Sequence, residues 1–204
     1  DSRVAGATLQ QGLQRALDEA LAGLPIPKVM SYQLADGWRS VQFVRPAHGL
    51  VALHGDQLVE VQALGLHAGR CTQGHRFEAA VATIELRSAD SYAEQLQVEG
   101  AVIPAFAERR AEVLRQLQAQ AGALGLRVID DDALLDEVTG LVERPNVLAC
   151  EFDAAFLDVP GECLILTMKA NQKYFPLLDA AGRLTNRFLV VSNIRPAEPS
   201  AIIE

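Results

Sequence analysis

The chain has 204 residues, with 26 acidic side chains against 18 basic ones (formal net charge −8); half of it is apolar and 5% is aromatic. This balance excludes an intrinsically disordered chain and argues against a dedicated, sequence-reading DNA-binding domain. It leaves room for one domain, or two small ones, with a core of Leu, Val and Ala. Cys71, Cys150 and Cys163 are odd in number and widely spaced, which is no disulfide framework and fits a reducing compartment. No apolar run approaches the roughly 18 residues of a membrane span.

Thr8 to Leu21 is a predicted helix. Leu9, Leu13, Leu17 and Leu21 recur every fourth residue, Gln10, Gln14 and Asp18 take the other face, and Gly23 is a stop signal. Leu24-Pro25-Ile26-Pro27-Lys28 is extended, because two prolines forbid a helix interior there, and reads as a rigid linker. Val41 to Arg45 reads as the start of a strand or as a tight turn, cut by Pro46. Arg45 and His48 flank that proline, and two readings stand: a phosphate or partner contact from one rigid corner, or mutual packing against the hairpin that follows. That hairpin is predicted from the apolar runs Leu50 to His54 and Leu58 to Gln62 around Gly55-Asp56. Leu64 to Phe77 reads as a glycine-rich loop carrying His67, Arg70, His75 and Arg76. Such a loop either cradles anions or merely turns the chain, and it lacks the lysine and hydroxyl placement of a nucleotide-binding P-loop.

Val81 to Leu86 is a predicted strand, Asp90 to Val98 a short helix, and Pro104 to Ala121 a longer one. Ala105, Phe106, Val113, Leu114 and Leu117 form its apolar side, while Arg109, Arg110, Glu112 and Arg115 form a solvated face. After a short strand at Arg127 to Ile129 come Asp130, Asp131 and Asp132. Their place just before a leucine-rich helix makes one of them an N-cap in preference to a metal ligand. Asn146 to Phe152 is a strand and Ala154 to Leu157 a helical turn. Glu162 to Lys169 is most consistent with a helix, which would place Lys169 and Lys173 one turn apart on one side, a like-charge arrangement that needs a compensating partner.

Charge is unevenly distributed. Glu85 to Asp158 holds 15 acids against 6 bases, whereas Thr167 to Arg195 holds 5 bases against 1 acid. In that second stretch the runs Tyr174 to Asp179 and Arg187 to Asn193, joined by a turn around Gly182, predict a basic hairpin. Lys169, Gln172, Lys173, Arg183 and Arg187 are its candidate contact residues. It is either a nucleic-acid contact or a core-packed hairpin with a solvated basic edge. The fold expected from these elements is α+β, mixing helices with mainly antiparallel strands and hairpins; residues 1–40 form a helical lead-in and residues 41–204 the body. Four histidines and three cysteines show no zinc spacing, no dinucleotide-binding glycine motif occurs, and no nucleophile triad can be assembled, so no catalytic or metal residue is assigned.

MKANQKYFPL (168–177), the Gly182-Arg183-Leu184 turn and FLVVSN (188–193) resemble a segment of the bacterial glycyl-tRNA synthetase beta subunit family. LPIPK (24–28), FVRPAH (43–48), GRCTQGHRF (69–77) and LLDEVTGLVERP (134–145) agree with that family in the same order. Departures stand at Ser31-Tyr32, Gly49, Cys71 and Gln73. The resemblance implies a non-catalytic part of glycine–tRNA ligase, in the cytoplasm, that supports tRNA-Gly binding and assembly with a catalytic alpha subunit and the rest of the beta subunit. It implies that ATP and Mg²⁺ act in the alpha subunit, with no cofactor in this chain. It also implies contact with tRNA or a subunit through Arg45, His48, Arg70, His75, Arg76, Lys169, Gln172, Lys173, Arg183 and Arg187. The opening at Asp1 without Met and the end after a linker-like RPAEPS read as a fragment from the N-terminal half of a longer protein. An editing-like or hydrolase domain with a small-molecule pocket, or a purely structural interaction domain, are the alternatives.

Overall fold

The computed structural model describes residues 6–44 and 47–196. The expected α+β class is what is observed: helices alternate with short sheets whose strands pair antiparallel, plus one isolated parallel bridge between Val51 and Gly69. The chain divides into two units. The first takes the described residues of Asp1–Gln73 with Ala82–Gln95; the second takes Gly74–Val81 with those from Leu96 onward.

In the first unit, helix α1 (Leu9–Gly23) starts where Thr8 and Gln11 form a reciprocal capping box, each side chain accepting from the other's backbone N–H at 3.2 Å. The expectation for its faces is corrected. The glutamine side docks, as Gln10 donates to Glu60 O (2.8 Å) and the Gln14 amide pairs in both directions with the Gln62 backbone (2.8 and 2.7 Å). A primary amide has the donor and acceptor of a peptide group, so Gln14 extends the strand ladder; Leu9 and Leu13 stay exposed. After the LPIPK segment, strands β1 (Met30–Gln33) and β2 (Ser40–Phe43) form a hairpin. Strands β3 (Leu53–His54) and β4 (Gln57–Leu58) form the expected hairpin around Gly55, whose φ of +61° is the left-handed conformation glycine adopts freely.

The predicted glycine-rich loop remains mostly loop and turn, interrupted by two-residue strands. β5 (Gln62–Ala63) and β6 (Leu66–His67) flank Leu64 and Gly65, both at positive φ, the geometry of a tight hairpin turn. β7 (Cys71–Thr72) pairs with β8 (Ile84–Glu85). Val59, Val61, Ile84 and Leu86 are this unit's buried apolar residues. Helix α2 (Tyr92–Val98) carries the chain into the second unit.

The second unit is built on a four-stranded antiparallel sheet in the order β10-β12-β11-β9: β9 is Arg127–Val128, β10 Asn146–Glu151, β11 Phe175–Leu178 and β12 Leu184–Ser192. Side chains alternate across it. Val147, Leu189, Phe175 and Leu177 share a core with Val113, Leu117 and Ala121 of α3 (Phe106–Ala123) and Leu134, Leu135 and Val138 of α4 (Asp132–Leu141). The register pairs Val147 with Val191 and Ala149 with Leu189, which keeps these residues in phase. Beyond β10 come a 3-10 turn (Ala154–Asp158), helix α5 (Gly161–Thr167) and a π-helical turn (Met168–Gln172) ending in Lys173 at φ +60°.

Candidate partner-binding surface

The aspartate run behaves as its position demands. Asp131 is the N-cap of α4, its carboxylate accepting from Leu134 N at 2.9 Å. The same carboxylate forms an ion pair with Lys169, and that pairing, with the Leu134 N–H, holds Asp131 below the usual carboxylate range. Lys173 pairs with Glu137 at 2.9 Å and donates to Ala170 O at 3.0 Å. The two lysines therefore do not share an ordinary helical face. The π turn and the left-handed residue separate them, and each meets its own acid on α4. These pairs border a groove of about 590 Å³ between α4 and α5, lined by Leu134, Ile165 and Leu166.

Of the two aromatics behind the lysines, one enters the core and the other is half-buried outside it. Phe175 is buried in the core, and Tyr174 stacks on Phe188 at 4.7 Å between ring centroids. At the far end of that hairpin, Asp179 accepts from Arg183 N and Ala181 N, both at 2.9 Å, and receives the Arg183 guanidinium. The Arg183 backbone N–H is the main cause of its lowered carboxyl pKa. Arg183 remains 80% exposed, and Arg187 lies 3.8 Å from Glu151 on the neighbouring strand. Gln172 is exposed on the π turn.

The other candidates separate into inward and outward groups. Arg70 donates to Leu86 O (3.2 Å) and Asp56 O (3.0 Å), tying a hairpin turn to the strand beside it. His75 is 2% exposed. Its Nε2 lies 2.6 Å from Asn193 O, and its Nδ1 accepts from Phe77 N and Glu78 N at 3.2 Å each, which assigns the Nε2-protonated tautomer. His48 is exposed and Arg76 is exposed, with the Arg76 guanidinium over the Phe77 ring. Arg45 lies outside the described residues.

Sequence reading missed three structural anchors. Arg109 is not solvated: it donates to Thr139 O at 3.0 Å and to Ile103 O at 2.5 Å, closing the loop before α3 onto the end of α4. Gln116 accepts from Val147 N (2.9 Å) and donates to Pro145 O (2.9 Å), satisfying the outer edge of β10. Asn193 Oδ1 accepts from Glu143 N (2.7 Å) and Arg144 N (3.2 Å). Each anchor reaches a position about 30 or more residues away, so no local pattern marks it. Arg110 bridges Asp136 and Asp132, both at 2.5 Å, which raises its already high pKa, through Asp136 first. Among the described residues, no three His, Cys, Asp or Glu side chains converge as metal ligands, and no helix is long and apolar enough to cross a membrane.

Set beside known proteins, the chain matches the family described as glycyl-tRNA synthetase beta subunit over residues 1–204. It is 75% identical over 203 residues to the glycine–tRNA ligase beta subunit of Leptothrix cholodnii, 71% over 203 to that of Methylobacillus flagellatus, and 68% over 203 to that of Thiobacillus denitrificans. Each alignment takes in 100% of this chain but only 28% to 29% of the relative. The chain thus spans less than a third of the length of the curated proteins it matches.

Proposed function

The chain belongs to the glycyl-tRNA synthetase beta subunit family, and from that premise we propose that it is a non-catalytic module of a glycine–tRNA ligase. In this reading it supports tRNA-Gly binding and assembly with the catalytic alpha subunit and the remainder of the beta subunit in the cytoplasm, while ATP and Mg²⁺ act in the alpha subunit. The observation that carries the reading is the family match along the entire chain. The geometry refines which residues serve it. His75, Arg70, Lys169 and Lys173 have partners within the fold, which favours a positioning role for them in this reading. His48, Arg76, Gln172, Arg183 and Arg187 are exposed and are the members available to an RNA or a subunit.

The test uses the assembled enzyme. Arg183→Ala with Arg187→Ala is introduced, assembly is checked by native mass, and tRNA-Gly affinity is measured across a salt series. Removing one phosphate contact should flatten the slope of log K against log salt by about 0.7 to 0.9. A shallower slope with intact assembly supports RNA contact. Unchanged affinity and slope with intact assembly refute it for this pair, and failure to assemble assigns both arginines to a subunit interface.

A further inference from the structure

The segment Gly74–Val81 is a turn whose inner side is completely engaged and whose outer side carries two unusual side chains. Inside, His75 N donates to Gly100 O (2.7 Å), Ala80 N to Glu99 O (2.9 Å) and Ala79 N to His75 O (3.1 Å). The His75 ring closes the turn from within through Asn193 O and the N–H groups of residues 77 and 78. Gly74 lies so close to the Gly100 backbone that any Cβ there would collide with it. The backbone of this turn is therefore fixed from its inner side, by main-chain bonds and by the buried imidazole together.

Held in that way, the turn projects Phe77 outward at 74% exposure. The Arg76 guanidinium covers it at 5.6 Å from the ring centroid, a cation–π distance. Among the described residues Arg76 joins no ion pair. The adjacent acid, Glu78, is already occupied by Arg144 at 3.3 Å and by Arg195 N at 2.5 Å. The surface around the ring thus has an exposed π face, an uncompensated cation and an acid that is already neutralised.

We propose that Arg76 and Phe77 form a stacking platform for an unpaired nucleotide of an RNA partner. The free surface of the Phe77 ring takes the base and Arg76 takes the adjoining phosphate. A nucleotide is the ligand that offers a flat π surface and an anion together, and base–aromatic stacking tolerates any base because every base has a π face. The anion is what separates this ligand from an apolar protein surface, which offers Arg76 no counter-charge. His75 is the positioning residue that holds the platform. This proposal rests on the tRNA-binding reading above and gives it a site.

The test measures tRNA-Gly affinity of the assembled enzyme with Phe77→Ala, Phe77→Leu, Phe77→Tyr and Arg76→Ala, with assembly checked by native mass. Phe77→Ala and Phe77→Leu should each weaken binding about tenfold, the equivalent of about 1.4 kcal/mol, while Phe77→Tyr keeps affinity within about twofold. Arg76→Ala should flatten the salt slope by about one phosphate contact. Full affinity in Phe77→Leu, or loss of subunit assembly in Phe77→Ala, would show an apolar protein contact and overturn the proposal, as would unchanged binding in all four. Ultraviolet crosslinking of bound tRNA, mapped by peptide mass, separates the two readings. Crosslinks elsewhere in this chain but not at 76–77 defeat only the platform, and none anywhere in the chain defeats the tRNA-binding reading as well.

Discussion

His75 Nε2 meets the backbone oxygen of Asn193 at 2.6 Å, joining positions 118 residues apart. The two ends of this contact lie in the GRCTQGHRF and FLVVSN segments, and the fold brings them together at the end of β12. The Asn193 side chain extends the junction by accepting from Glu143 N and Arg144 N, within the ERP segment that follows α4. Three of the chain's distinctive motifs thus converge on one buried junction.

Removing that junction leaves partly buried peptide groups without their partners. His75→Ala orphans Asn193 O and the N–H groups of Phe77 and Glu78, each worth about 1 to 3 kcal/mol when unsatisfied. Chemical denaturation should show a loss of at least about 2 kcal/mol. Asn193→Asp keeps the carbonyl-type acceptor for residues 143 and 144 and should cost less than Asn193→Ala. Equal losses for the two would mean that the side-chain acceptor contributes nothing.

The two lysine–acid pairs should differ in strength. Lys169 and Asp131 are 24% and 21% exposed, whereas Lys173 and Glu137 are 32% and 50% exposed. A double-mutant cycle with Lys169→Met and Asp131→Asn should give a coupling of about 1 kcal/mol, because asparagine preserves the helix cap and only the ion pair is removed. The same cycle at Lys173 and Glu137 should give a few tenths of a kcal/mol. A coupling at least as large in the second cycle would contradict this ordering.

Acid should lower the stability of the chain in a defined window. Asp36 is lowered to about 2, first by the Arg39 backbone N–H and then by its guanidinium. Asp131 is lowered by Lys169, Asp179 by the Arg183 N–H and Glu112 by Arg115. A carboxyl with a depressed folded pKa contributes stability that is complete above its unfolded value, about 3.9 for Asp and 4.3 for Glu, and that is lost as pH falls through the folded value. For these four groups the contribution should be level from pH 7 to about 5 and decline from about pH 4 toward 2. Thermal melts at stepped pH, compared between the parent chain and Asp131→Asn, test this. The variant should lose less on acidification, and an identical acid profile would remove Asp131 from the account.

Two glycines should respond oppositely to alanine. Gly12 lies within α1 with open space around its missing Cβ, so Gly12→Ala should stabilise by about 0.5 to 1 kcal/mol. Gly74→Ala forces the turn away from Gly100 and should destabilise. Gly74→Ala should also weaken whatever Phe77 binds, because the turn that carries the ring must shift. Melting curves of both variants give the signs directly, and a neutral Gly74→Ala would mean the Gly100 contact relaxes freely.

Local pattern determined much of the outcome. The four-residue leucine spacing marks α1, the capping position of Asp131 marks the start of α4, and the apolar runs on either side of Asp179 to Arg183 mark the β11–β12 hairpin. Family membership was also legible, because short motifs in a fixed order survive without any knowledge of contacts. The two-residue strands β5 to β7 were not legible, since a ladder that short leaves no alternation to read. The direction of each polar side chain was settled only by tertiary structure. Lys169 and Lys173 read as a free basic pair until α4 brings Asp131 and Glu137 beside them, and His75 reads as a surface donor until Asn193 arrives from 118 residues away. Charge and hydrogen-bonding capacity belong to the residue, but whether they face a partner molecule or the protein's own backbone depends on long-range packing, which no local window contains.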